Sequence, residues 1–178
     1  VNSPFWVGRK TGLHSQRCKI MEQLPAAGTP PVLRNYSEYC WLVNHSLQNG
    51  TISSIQEIWW DVRPHPKYGT VEIRICDLPP NLEDALALAA LCQCLVATLS
   101  EQIDEGVYQH DIHPVVVRQN KWKAARYGMR AELIDPVSHK TIPVKEMVYF
   151  LYDKLHPQAD KLGCTVELSH LLNMLERP

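Results

Sequence analysis

Glu72 and Arg74 stand two residues apart in the stretch Thr70-Val71-Glu72-Ile73-Arg74-Ile75-Cys76-Asp77. Side chains on a strand alternate between faces, so a carboxylate and a guanidinium at this spacing project from the same face. A carboxylate offers oxygen donors to a hard divalent cation. A guanidinium stays protonated and pairs in a fork with carboxylate or phosphate oxygens. Trp59, Asp61 and Arg63 repeat the two-residue spacing on the preceding stretch and add a second charged set. This charged side is the candidate active surface. The plain alternative is a solvated sheet face, on which cross-strand ion pairs contribute roughly 0.2–1 kcal/mol each.

The surrounding residues must position that set. Residues 57–63 and 70–77 are rich in β-branched and aromatic types and flank a Pro- and Gly-bearing segment at 64–69, which predicts two strands joined by a longer hairpin loop. Ile58, Trp60 and Val62, with Val71, Ile73 and Ile75, fall on the opposite faces and predict the core side. Asn81 is a good helix N-cap, and Asp84 favours the first turn of a helix over residues 82–100. That helix is apolar nearly all round, so it is expected to be buried. It falls short of the run of about 20 apolar residues that a bilayer span takes.

Residues 1–34 have no clear period and read as a long ordered loop with short strand pieces, carrying Arg17 beside His14 and Ser15. A helix is predicted over 36–48, with Ser37 as N-cap and Asn49-Gly50 as the stop. Gly106 closes the apolar helix, and the connector after it holds His110, Asp111 and His113, whose spacing lacks the third ligand of a metal site. Residues 114–127 predict a basic helix with Pro114 in its first turn and Trp122 as an apolar anchor. Such a helix contacts phosphates if a nucleotide lies near it, and otherwise forms a solvated face. A small hairpin is expected over 131–143, then a helix over 144–155, a short helix from Pro157 to Gly163, and a last amphipathic segment capped by Thr165 or Ser169.

At 178 residues the chain can form one domain with a sizeable core. A formal net charge of −1, with both signs spread along the chain, excludes nucleic-acid or anionic-membrane partners driven by bulk electrostatics. No secretory leader pattern is visible at the N-terminus. None of the six cysteines forms a C-x2-C pair, and reduced thiols in a cytoplasmic protein are expected.

The 70–77 string followed by an Ala/Leu-rich helix resembles the metal-and-phosphate strand of the glutamine synthetase superfamily, where a Glu-x-Arg pair precedes such a helix. More closely, Asn2-Ser3-Pro4-Phe5, Gly8, Gly12, Ser15 and Arg17, then Trp60-Asp61-Val62-Arg63-Pro64 and Ala125-Arg126-Tyr127-Gly128, resemble the carboxylate-amine ligases of the glutamate-cysteine ligase type 2 family. The resemblance implies an α+β fold with a glutamine synthetase-like antiparallel sheet packed with helices. It makes residues 1–178 part of one such catalytic domain, with an N-terminal half, bearing the first metal carboxylates, and a C-terminal tail outside it.

The resemblance also implies an ATP-dependent ligase that joins glutamate to an amine such as cysteine through an acyl phosphate, releasing ADP and phosphate. Glu72 is then the Mg2+ ligand, and Arg74 is the catalytic group facing the transferring phosphoryl or the tetrahedral adduct. Arg17 holds the glutamate carboxylate, Asp61, Arg63 and Trp59 line the substrate pocket, and Arg126 contacts the nucleotide. A cytoplasmic homodimer binding only small molecules is compatible with this. Two other readings stay open: the same fold acting on a different amine, and a non-catalytic module that binds an amino acid or nucleotide or serves an assembly interface.

Overall fold

The computed structural model describes residues 4–107 and 112–177. Asn2 and Ser3 of the resembling motif, and His110 and Asp111 of the connector, lie outside the described residues. Among the described residues the elements run in chain order β1 (Phe5–Trp6), β2 (Arg9–Lys10), α1 (Gln16–Met21), β3 (Ala27–Gly28), α2 (Tyr36–Gln48), β4 (Trp59–Trp60), β5 (Val62–His65), β6 (Thr70–Ile73), α3 (Leu82–Asp104), α4 (Pro114–Tyr127), β7 (Glu132–Ile134), β8 (Thr141–Pro143), α5 (Val144–Leu162) and α6 (Thr165–Leu175). The class is α+β, with the strands in two-stranded sheets: β1–β2, β5–β6 and β7–β8 are antiparallel, whereas β3–β4 is parallel. The chain forms two compact units, Ser15–Cys76 and a second made of Val1–His14 with Asp77–Pro178.

In the Ser15–Cys76 unit, Tyr39 and Val43 of α2 bury against Ile52, Ile58 and Trp60. The Tyr39 and Trp60 rings meet edge to face, 6.3 Å apart. The N-cap of α2 is Asn35, two residues before the expected Ser37. Asn35 has extended backbone, so its side-chain oxygen reaches the Glu38 amide at 2.9 Å, while Ser37 is already inside the helix. Residues 16–21 fold as α1, so Arg17 sits on a helix and not on the expected loop.

The expected single strand over 57–63 is interrupted at Asp61. β4 pairs with β3 through Trp59 N–H to Ala26 O and Asp61 N–H to Gly28 O, both 2.7 Å, whereas β5 turns to pair with β6. Gly28 serves this approach: its φ is +90° and a Cβ there would lie 3.3 Å from the Glu22 side chain. The split also overturns the expected core face. Ile58 and Trp60 are buried, but Val62, Val71 and Ile75 are exposed, and Arg63 is buried at 8%.

In the second unit α3, α5 and α6 pack around Ala87, Ala90, Cys94, Leu155, Ala159, Leu168 and Leu171. The small side chains on α3 let its neighbours approach closely. α3 is longer than expected, running to Asp104, and it is not buried all round: Leu82, Leu86, Leu99 and Ile103 are exposed. By length and composition alone it could cross a membrane. The predicted break at Pro157 is absent. α5 continues through it to a left-handed Gly163 cap, because Leu155, Gln158 and Ala159 on either side of the proline are buried and hold the backbone helical. Neither expected cap begins α6, whose N-cap is Cys164; the Thr165 hydroxyl donates instead to Asp160 at 2.7 Å, and the Ser169 hydroxyl to the Thr165 carbonyl.

Asp84 is buried at the start of α3 and ties α6 down. His170 Nε2 lies 2.9 Å from Oδ1, and Arg177 Nη1 donates to Oδ2 at 2.6 Å. Burial pushes this carboxyl up, but the Arg177 and His170 hydrogen bonds outweigh burial and hold it below the usual range. The Cys94 and Cys164 sulfurs are 3.7 Å apart as thiols, and burial, foremost, pushes Cys94 up to about 11, so it is a packing thiol at neutral pH.

Candidate active site

The charged residues of the Ser15–Cys76 unit are organised by the bend at Asp61. Its carbonyl accepts from both the Arg74 amide (2.7 Å) and the Ile75 amide (3.1 Å), so two residues of the returning chain face one. Such a two-against-one bulge bends the ribbon and re-aims side chains. Arg74 is thereby turned beside Asp61. From α1, Arg17 donates through Nη2 to the Arg74 carbonyl at 2.7 Å and through Nη1 to the Ile75 carbonyl at 3.3 Å, so it pins the same backbone.

Glu72 and Arg74 do share a face. Arg74 Nη1 donates to Glu72 Oε1 at 2.5 Å, and Arg63 Nε donates to Oε2 at 2.7 Å. Arg63 lies directly opposite Glu72 in the β5–β6 register, which is why the pair forms. Its Nη1 also donates to the carbonyls of Ile55, Gln56 and Ile58. Burial pushes the Glu72 carboxyl up, but the hydrogen bonds from Arg63 and Arg74 prevail and hold it below the ordinary carboxylate range. Glu72 is therefore ionised at neutral pH and carries one arginine on each oxygen.

Arg17, Cys18, Met21, Trp59, Asp61 and Arg74 line one recess. Its enclosed volume is about 10 Å3, room for a single water, so a larger ligand would sit across the mouth. Trp59 is 41% exposed at this mouth, with its indole N–H donating to the Gln56 carbonyl. The Asp61 carboxylate accepts from the Thr29 hydroxyl at 3.3 Å.

Of the residues singled out by sequence, Arg17, Trp59, Asp61 and Arg74 thus converge, Glu72 touches the group through Arg74, and Arg63 stands behind Glu72. Arg126 belongs to the other unit, where its guanidinium donates to the Gly12 carbonyl. Gly128 ends α4 there at φ +55°, and a Cβ at this position would lie 3.0 Å from the His14 ring, so the Ala-Arg-Tyr-Gly string needs its glycine. Sequence reasoning missed Cys18 and Met21 as lining residues. With residues 16–21 recognised as a helix, the i, i+1 and i+4 spacing of Arg17, Cys18 and Met21 would have suggested them.

A divalent metal such as Mg2+ takes several oxygen donors converging on one point. Among the described residues no group of three or more His, Cys, Asp or Glu side chains is placed to hold one. Both Glu72 oxygens already accept from guanidinium groups. The described residues do not fit a Mg2+ site by themselves.

The sequence profile of glutamate-cysteine ligase family 2 matches residues 1–177. The chain belongs to this family. It is similar to a Gloeobacter violaceus protein named "Putative glutamate--cysteine ligase 2", with 42% identity over 169 residues that cover 95% of this chain and 45% of that protein. A Frankia casuarinae relative, "Putative glutamate--cysteine ligase 2-1", is 42% identical over 98% of this chain and 46% of its own length. A Solibacter usitatus relative with the first name is 35% identical over 99% of this chain. The chain spans about half the length of these curated relatives.

Proposed function

We propose that the protein carrying this chain is an ATP-dependent carboxylate-amine ligase that joins the γ-carboxylate of glutamate to the amine of cysteine. Family membership supports the reaction class. The observation that carries the reading is the Arg74 guanidinium, fixed on Glu72 at 2.5 Å and opening on the recess shared with Arg17 and Asp61.

Condensing a carboxylate with an amine in water is uphill and needs an activated acyl group. A γ-carboxylate oxygen attacks the terminal phosphorus of ATP and ADP leaves. The amine nitrogen then attacks the acyl carbon, phosphate departs with the attacking oxygen, and the amine loses a proton. In this scheme Arg74 neutralises charge on the phosphoryl oxygens and on the tetrahedral adduct, the largest kind of contribution a positioned cation makes. Glu72 fixes the Arg74 guanidinium, and Arg63 fixes Glu72 from behind, so little reorientation is left to the reacting state. Arg17 pairs with the glutamate carboxylate, Asp61 faces its ammonium, and Trp59 walls the mouth.

Arg17→Lys keeps the charge and removes the fork. The expected result is a KM for glutamate raised at least about tenfold, the scale of a lost charge-assisted hydrogen bond, with the KM for ATP nearly unchanged. Steady-state ADP release with each substrate varied checks this. Equal rises in both would show that Arg17 acts only by pinning the backbone of Arg74.

A further inference from the structure

Cys94 and Cys164 stand 70 residues apart in the chain and bring their sulfurs to 3.7 Å. A bond between them would join separate elements. Cys94 is fully buried in the middle of α3, and Cys164 occupies the corner between α5 and α6, packed against the same core. The Cys164 backbone is held on both sides, its amide donating to the Ala159 carbonyl at 3.0 Å and its carbonyl accepting from the Leu168 amide at 2.9 Å. Closing the sulfurs by about 1.7 Å to bonding distance therefore falls to the two side chains.

We propose that this pair is a modification site, at which a small-molecule disulfide oxidises Cys94 and Cys164 to a bridge that locks α3 to the corner between α5 and α6. Access sets the order of the steps. Cys164 is half-buried and within reach of a reagent, whereas Cys94 is closed off. The Cys164 thiolate attacks one sulfur of the reagent, whose S–S bond breaks and releases a first thiolate. Cys94 then attacks the Cys164 sulfur, the mixed disulfide breaks, and a second thiolate leaves. Each departing thiolate takes up the proton that its attacker gave up, so two protein thiols are oxidised and one reagent disulfide is reduced to two thiols. In the reverse direction an outside thiol reaches the Cys164 sulfur and Cys94 is the leaving group. Burial, foremost, pushes Cys94 up to about 11, and a thiolate of such high proton affinity leaves slowly, so the bridge opens slowly. None of this draws on the ligase reading, and no result of the test below bears on that reading.

The test incubates the reduced full chain with 2-hydroxyethyl disulfide, maps its peptides by mass spectrometry after alkylation, and reads the thermal midpoint before and after. The expected result is a peptide pair joined through Cys94 and Cys164, two hydrogens lighter than its reduced parts. The midpoint rises by roughly 5–15 °C, because a bridge across a long loop removes freedom from the unfolded chain. Cys94→Ala leaves Cys164 carrying the reagent as a mixed disulfide, and Cys164→Ala leaves Cys94 unmodified and the midpoint unraised. The joined peptide in the unsubstituted chain needs neither variant to fold. Cys76 is exposed and takes up the reagent whatever the pair does. Cys76 modified with no peptide joining Cys94 to Cys164 overturns the site, and a joined peptide with no rise in midpoint overturns the lock.

Discussion

Glu72→Gln should lower the rate of ADP release by roughly 10²–10³-fold, the range seen when one preorganised electrostatic contact to a reacting centre is lost, while the chain keeps its circular dichroism spectrum. The amide is nearly isosteric, so the β5–β6 register and the exposed Val71 and Val62 have no cause to move. What changes is charge. Glu72 accepts Arg74 on one oxygen and Arg63 on the other, and an amide can accept on its oxygen only, presenting N–H groups to the second guanidinium. Arg74 then loses its anchor and must be ordered by the substrate, at a cost in the reacting state. Turnover within about threefold of the unsubstituted protein would show that Arg74 does not depend on Glu72. The pH profile adds a second reading. The Glu72 carboxyl is held below the usual range, so its anchoring of Arg74 is present above the ordinary carboxylate pKa and fails only as pH falls through the depressed value.

The largest effect on stability is expected in the other unit. Leu155 is fully buried among Ala87, Ala90, Leu168 and their neighbours. Leu155→Ala removes a side chain whose facing partners on α3 are already small, so the surroundings have little bulk with which to collapse into the void. Leu→Ala in a buried site costs about 2–5 kcal/mol, which for a chain of this size lowers the thermal midpoint by roughly 5–15 °C. Differential scanning calorimetry measures it directly. A midpoint lowered by less than about 2 °C would mean that the α3, α5 and α6 packing is not the main support of this unit.

Much of the helical framework was legible because its signals are local. Asn81 caps α3 and Pro114 opens α4 as their types predict, the Asp135 turn forms its hairpin, and the glycines after α3, α4 and α5 end or follow them. That Arg17, Trp59, Asp61 and Arg74 belong together was legible, and the recess they line was not. Glu72 and Arg74 share a face, as strand alternation requires. The bulge that turns Arg74 toward Asp61 depends on Asp61 reaching back to Gly28, a pairing across more than thirty residues that no local pattern encodes. The same bend inverted the expected faces, since Arg63 is buried by three backbone carbonyls and a carboxylate while Val62 and Val71 face outward. Arg63 shows that a charge at an alternating position can be structural when its donors are consumed nearby. α1 is too short for its apolar residues to show a period, which is why Arg17 read as a loop residue.

The acyl transfer proposed for the recess can be followed atom by atom. With glutamate labelled by 18O in its γ-carboxylate, ATP and cysteine, mass spectrometry of the released phosphate should find one labelled oxygen per phosphate formed, because the carboxylate oxygen that attacks phosphorus leaves with it. Phosphate free of label, released as the amide forms, would contradict the account.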